Sequence, residues 1–153
     1  MLFRSTPMTF EECTGYTSTS SGTATAAGGD AAALGIKQCE YANDYWAGAV
    51  KQCGGTSNMP TIADLGALAS TLYVGNPTIG AKENKSGIDF DEESTTAIAL
   101  GLTPGFYLWS GENSYSYSAY ARSFNSTSTY SESGGSFSYD SNRGYSYYAI
   151  CLQ

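Results

Sequence analysis

The sequence predicts an α+β domain in which two helices precede a β-rich C-terminal third. Three observations carry that expectation. Apolar residues recur at spacings of three and four across residues 41 to 53 and again across residues 61 to 72. Beyond Pro104-Gly105 the chain breaks into short runs of aromatic and aliphatic residues. Glycine, serine, threonine and asparagine fill much of the remainder, as expected of turns and loops. With 153 residues, 41% of them hydrophobic, the chain can bury one real core and is expected to form one domain.

Taken in order, residues 14 to 35 are rich in Thr, Ser, Gly and Ala and carry the turn pair Gly28-Gly29, which predicts an irregular region with at most one short strand. Ala42, Trp46, Ala49, Val50 and Cys53 then share one helical face, and Gly54-Gly55 ends that helix. Thr61 followed by Asp64 is a capping-box pattern, behind which Leu65, Leu68, Ala69 and Leu72 continue a second helical face. Val74-Gly75-Asn76-Pro77 stops it. Residues 76 to 103, with the acidic run Asp89-Phe90-Asp91-Glu92-Glu93 and the apolar run Ala97-Ile98-Ala99-Leu100, are expected to be surface loops with little regular structure. Strands are predicted at Phe106-Tyr107-Leu108-Trp109, at Ala119-Tyr120-Ala121-Arg122-Ser123-Phe124 and at Tyr147-Tyr148-Ala149-Ile150-Cys151-Leu152.

Composition excludes several functions. The net charge is −7 and the few Lys and Arg are scattered, so no basic groove exists to neutralise phosphates, and neither nucleic acid nor anionic lipid is an expected partner. No run approaches the roughly 18 to 20 apolar residues of a membrane-spanning helix, so no membrane insertion is expected, and Met1-Leu2-Phe3-Arg4-Ser5 lacks the apolar stretch of a signal peptide. The chain contains no histidine, which removes the usual general base, the usual nucleophile triad and most zinc sites. No enzyme activity and no cofactor are therefore expected. Cys13, Cys39, Cys53 and Cys151 form no Cys-x-x-Cys pair, so two disulfides in an oxidising compartment are the simplest reading, with three pairings open.

The informative stretch is residues 113 to 147, where 28 of 35 residues are Ser, Tyr, Thr, Asn, Gly or Asp and none is Leu, Ile, Val, Met, Lys or Pro. Nine of the 13 tyrosines lie at or after Tyr107. Tyrosine supplies large, rigid contact area with a hydroxyl, while Ser, Gly and Asn supply small adaptable partners, which is the chemistry of antibody paratopes. A polar low-complexity or β-solenoid segment would share that composition, but the stretch has no fixed repeat period. Its residues also have a coding logic, because Asn, Ser, Tyr, Gly, Asp and Thr are all reached from an Asn codon by changing adenines.

On these grounds the chain resembles the variable proteins of diversity-generating retroelements, whose variable region sits on a C-type-lectin-like fold of the formylglycine-generating-enzyme branch. The residues that carry the resemblance are Tyr107-Leu108-Trp109-Ser110-Gly111-Glu112, Ala119-Tyr120-Ala121-Arg122-Ser123-Phe124 and Tyr148-Ala149-Ile150-Cys151. Met59-Pro60-Thr61 with Leu65 and Leu68 is similar to the Leu-Pro-Thr helix start of related bacterial lectin-like domains, with methionine in place of the common leucine. The resemblance covers residues 40 to 153, with a variable ligand-binding region at about 109 to 150; residues 1 to 39 match nothing and are expected to be an irregular segment packed on, or leading into, the domain.

The resemblance implies two helices packed on small antiparallel sheets with much irregular loop structure, and a disulfide between Cys53 and Cys151, leaving Cys13 with Cys39. It implies a display protein on an extracellular, cell or virion surface, whose partner is a protein or glycan ligand on another cell or host. The candidate ligand-binding residues are Asn113, Ser114, Tyr115, Ser116, Tyr117, Tyr130, Ser133, Tyr139, Asp140, Ser141, Asn142, Tyr145 and Tyr147. Alternating small or apolar residues make Ala119, Tyr120, Ala121, Phe124 and Phe137 the framework beneath them. Two other functions remain open: a fixed adhesin or pilin-like subunit of the same fold, and an oxidase of the formylglycine-generating type, which would need reactive thiols.

Weaker constellations take the blander reading. The acidic run offers oxygen ligands for calcium but lacks the EF-hand glycine and spacing, so it is expected to be solvated and no metal is assigned. The Glu-Pro-Asn, Gln-Pro-Asp and Trp-Asn-Asp signatures of calcium-dependent lectins are absent. Trp46 and Trp109 are expected in the core. Arg122 and Arg143 are expected to be solvated at the surface or to support a neighbouring loop.

Overall fold

The structure, a computed structural model, describes residues 2–9, 12–13, 25–39, 43–79, 87–115, 118–124, 127–128 and 138–152. It is an α+β fold centred on five strands: β1 (Leu2–Arg4), β7 (Phe106–Tyr115), β8 (Ser118–Phe124), β10 (Ser138–Asn142) and β11 (Tyr148–Ile150). Their order is β1-β11-β7-β8-β10, with β11 parallel to β7 and every other neighbour antiparallel. Around this sheet lie three two-stranded pairs. Strand β2 (Met8–Thr9) joins β5 (Asn43–Asp44), β3 (Thr25–Ala26) joins β4 (Gln38–Cys39), and β6 (Ile88–Asp89) joins β9 (Thr127–Ser128).

Successive residues of β7 point to opposite faces of the sheet, and both faces are covered. Leu108 enters a cluster with Leu65, Ala69, Leu72, Phe106 and Phe124, whereas Trp109 enters one with Trp46, Val50, Ala119, Ala121 and Ala149. A strand buried on both sides needs no polar alternation, which is why β8 is buried at six of its seven positions. The expected core tryptophans are both there, with 1% exposure at Trp46 and none at Trp109.

The first of the two predicted helices, α2 (Tyr45–Cys53), follows a shorter one, α1 (Gly29–Ala33). Helix α2 starts four residues later than its spacing predicted, because the Asp44 carboxylate accepts the Ala47 amide at 2.8 Å and so caps it; Ala42 lies outside the described residues. It ends as expected at Gly54, whose φ of 78° suits glycine. Gly48, inside this helix, is required by packing, since a Cβ there would overlap the Thr6 carbonyl. Helix α3 (Ile62–Leu72) begins with the predicted capping box: Asp64 N–H donates to Thr61 Oγ1 at 3.1 Å, and Thr61 N–H donates to Asp64 Oδ2 at 2.9 Å. A further cap comes from across the fold, where the Glu112 carboxylate accepts the Ile62 amide at 2.7 Å.

Two stretches expected to be irregular carry short elements. Residues 14 to 35 include α1 besides the expected strand, with residues 14 to 24 outside the described set. Residues 76 to 103 include β6 and α4 (Thr95–Leu100), capped by Ser94 Oγ, which accepts the Ala97 amide at 3.3 Å, and closed by Gly101. Both helices span fewer than two turns, too few to register a period. Residues before 40 also belong to the sheet system, through β1 and β2. Disulfides join Cys13 to Cys39 and Cys53 to Cys151, with Cα separations of 6.1 and 5.2 Å. Among the described residues no helix is long and apolar enough to cross a membrane.

Candidate ligand-binding surface

The Ser- and Tyr-rich stretch enters the fold on β7 and returns on β8. Register shifts between Trp109 and Asn113 and again between Asn113 and Tyr115 offset the hairpin, so that Asn113 aligns with Ala119 and Tyr115 with Ser118. On the other side of β8, Ser141 aligns with the same Ala119, Asn142 with Ser118, Tyr139 with Ala121 and Asp140 with Tyr120. Two rows thus cross the sheet, Asn113–Ala119–Ser141 and Tyr115–Ser118–Asn142, and bring four of the expected binding positions onto the two strands that flank β8. Their central strand is fixed from both faces: Ala119 and Ala121 are buried in the Trp109 cluster and Phe124 in the Leu108 cluster, as their assignment to the framework required, while Tyr120 is half-buried and accepts Ser110 Oγ–H through its carbonyl at 2.8 Å.

The stretch leaves the sheet at an internal charge pair. Arg143 and Asp44 are both fully buried; Nη2 lies 2.7 Å from Oδ2 and Nε donates to Oδ1 at 3.3 Å. The guanidinium also stacks over Trp46, 4.4 Å from the ring centre, and the Trp46 indole N–H donates to the Ser110 carbonyl at 2.8 Å. The Tyr45 amide bonds the Arg143 carbonyl at 2.8 Å. Burial pushes the Asp44 carboxyl above its ordinary range, against the pull of Arg143 and of the amides that it accepts. Arg122 is buried as well, opposite Leu108 in register. Solvation of these two arginines at the surface is therefore wrong, although support of a neighbouring loop describes Arg143. Their clue in the sequence is that each is a long cation among small polar or aromatic neighbours.

After Arg143 the chain turns tightly. Asn142 Oδ1 accepts the Gly144 amide at 2.7 Å, the Tyr145 amide reaches the Asn142 carbonyl at 3.0 Å, and Ser5 donates to the Tyr147 carbonyl through N–H at 2.9 Å and Oγ at 2.6 Å. This turn carries a ladder of rings: Tyr147 stacks on Tyr107 at 4.7 Å and 11°, meets the buried Trp109 at 4.7 Å, and meets Tyr145 at 5.6 Å. Tyr145 is the outermost ring, 54% exposed. The rings border a cleft of about 410 Å³ lined by Arg4, Gly105, Phe106, Tyr107, Tyr145, Ser146, Tyr147 and Tyr148.

Of the expected binding residues, Tyr145 is exposed, Asn113, Asn142 and Tyr147 are half-buried, and Ser114, Tyr115, Tyr139, Asp140 and Ser141 sit on β7 and β10. Ser116, Tyr117, Tyr130 and Ser133 lie outside the described residues, as does Phe137. Sequence reasoning missed Arg4 and Tyr107 as cleft residues, because nothing near Arg4 announces that it pairs with the last strand. A second cleft, of about 390 Å³, lies beside the acidic run and is lined by Thr71, Asn76, Asp91, Glu93, Ser94, Thr95 and Thr96. There Asp91 Oδ1 accepts the Glu93 amide at 3.0 Å, and among the described residues no group of three His, Cys, Asp or Glu is arranged around a common point. No protein-family model matches this chain, and no curated protein or solved structure matches it either.

Proposed function

We propose that the protein is an extracellular ligand-binding display protein, which presents a diversified Tyr/Ser/Asn/Gly-rich surface on a rigid scaffold of C-type-lectin-like fold. The observation that carries this reading is the suspension of a paratope-like stretch between buried anchors. It is held at β8 by the buried Ala119, Ala121 and Phe124, is pinned at its exit by Arg143 on Asp44, and places Asn113 and Tyr115 on one side of β8 and Ser141 and Asn142 on the other. A framework that keeps its shape while outward residues change is what such a function needs, because function then resides in grafted side chains. The two disulfides support an oxidising compartment and leave no thiol for oxidase chemistry. The second reading, a fixed adhesin or pilin-like subunit, shares all of this except diversification.

The DNA around the coding sequence separates the two. A nearby repeat matching codons of about residues 109 to 150 except at adenines is the expected result. A locus with no such repeat would leave the fixed adhesin.

A further inference from the structure

The cleft between β1, the start of β7 and the turn before β11 differs from the diversified surface in that Arg4, Tyr107 and Tyr148 come from outside the Ser- and Tyr-rich stretch. We infer that it binds a carboxylate-bearing pyranose, the acidic sugar residue of a glycan. This deepens the display reading only in sharing Tyr145 and Tyr147 with it.

Arg4 sets the charge preference. Its Nη1 donates to the Ser146 carbonyl at 2.9 Å and to Ser146 Oγ at 3.2 Å, and its Nη2 donates to Tyr148 Oη at 3.0 Å. The guanidinium lies 4.5 Å from the centre of the Tyr148 ring. Among the described residues these hydrogen-bond acceptors are all neutral, so the group is held in place while its charge stays uncompensated, within a protein of net charge −7. A guanidinium has five N–H donors, and those left over match a carboxylate better than any neutral group. The same cation disfavours a quaternary ammonium guest, which an aromatic lining alone would otherwise suit.

The rings set the shape preference. The ladder from buried Trp109 through Tyr147 to Tyr145 ends in an exposed, braced face on which the apolar C–H side of a sugar ring can stack. Ser146 and the phenol groups bring hydroxyls to the same place, which suits a polyol and not a hydrocarbon. A volume of about 410 Å³ is at the lower end of small-molecule sites, roughly 300 to 1,000 Å³, and so fits one or two sugar rings.

The test is an NMR titration of the intact, disulfide-bonded protein with methyl β-D-glucuronide and N-acetylneuraminic acid, against methyl β-D-glucoside and sodium acetate. Both acidic sugars should bind saturably and about tenfold more tightly than the glucoside, the change expected from one charge-assisted hydrogen bond. Arg4→Gln should bring the glucuronide down to the glucoside level, Arg4→Lys should keep part of the difference, and Tyr145→Ala should weaken both sugars. Melting temperatures identify any variant that has lost its fold, and Tyr145→Ala, at an exposed position, provides the control for Arg4. The inference is overturned if glucuronide and glucoside bind alike, if acetate matches glucuronide, if Arg4→Gln changes nothing, or if a peptide C-terminus binds while every sugar is silent. The display reading is tested at the coding locus and the cleft by this titration, so failure of the one is separable from failure of the other.

Discussion

Replacing Arg143 by methionine, a side chain of similar length without charge, isolates the anchor at the exit of the tyrosine-rich stretch. It leaves the Asp44 carboxylate fully buried, with backbone amides as its remaining partners. Breaking a buried pair from one side costs about 3 to 5 kcal/mol, and loss of the contact over Trp46 adds about 1 kcal/mol. Against a total stability of about 5 to 15 kcal/mol this is roughly a quarter or more. Asp44 has an escape, because burial already pushes its carboxyl up and removal of Arg143 pushes it further, so the variant should recover part of its deficit in acid. Asn at position 44 retains the helix cap without the charge, so the double variant Asp44→Asn with Arg143→Met should lose at least about 2 kcal/mol less than the two single losses added together. The assay is urea unfolding with both disulfides intact, followed by circular dichroism and by tryptophan fluorescence. A loss of less than about 1 kcal/mol for Arg143→Met, or simple additivity in the double variant, would refute the pair as the anchor.

Other outcomes follow from the same geometry. Because the folded-state pKa of Asp44 is raised, its stabilising contribution relative to Asp44→Asn should be fully present below about pH 4 and lost as pH rises through the folded value. Urea midpoints of the two proteins at about pH 3 and pH 7 check the sign, and the comparison cancels carboxylates such as Glu12, whose pKa the Thr9 amide lowers. Tyr145→Ser should cost less than about 1 kcal/mol and Phe124→Ala about 3 to 5 kcal/mol, with Tyr147→Ser between them; equal losses in melting temperature would mean that the outer rings belong to the core. In a chain-entropy account the bridge spanning 98 residues contributes about 4.7 kcal/mol and the one spanning 26 about 3.5 kcal/mol, so removing Cys53 and Cys151 together should lower the urea midpoint more than removing Cys13 and Cys39.

Long, strongly patterned elements were legible from residues alone. Helix α3 announced itself through Thr61, Asp64 and a leucine face, and the end of α2 through Gly54-Gly55. The start of α2 was misread because Ala42 continues the spacing while Asp44, the residue that terminates the preceding strand, decides the boundary. Elements of two to six residues, such as α4 and β6, hold too few positions for a period to appear. In the candidate site, composition identified the tyrosine-rich stretch but could not rank its members. Tyr147 is fixed between Tyr107 and Trp109, and Asn142 shapes its own turn; both facts depend on partners far away in sequence. The same holds for Arg143, whose acid lies 99 positions upstream, and for Arg4, which meets the chain's last strand.

The place of β11 in the sheet bears on how the molecule is made. The final strand lies between the first and the seventh, parallel to one and antiparallel to the other. A chain emerging from the ribosome therefore cannot complete its central sheet until residues 148–150 have been synthesised, and until then both β1 and the open side of β7 are unpaired edges. Such closure joins Leu2 to Ile150, positions far apart in sequence, a topology that folds slowly and leaves edges exposed in the meantime. Removal of residues 148–150 should accordingly yield an aggregating chain and not a smaller domain, whereas the tyrosine-rich stretch can change its surface residues without touching the step that closes the fold.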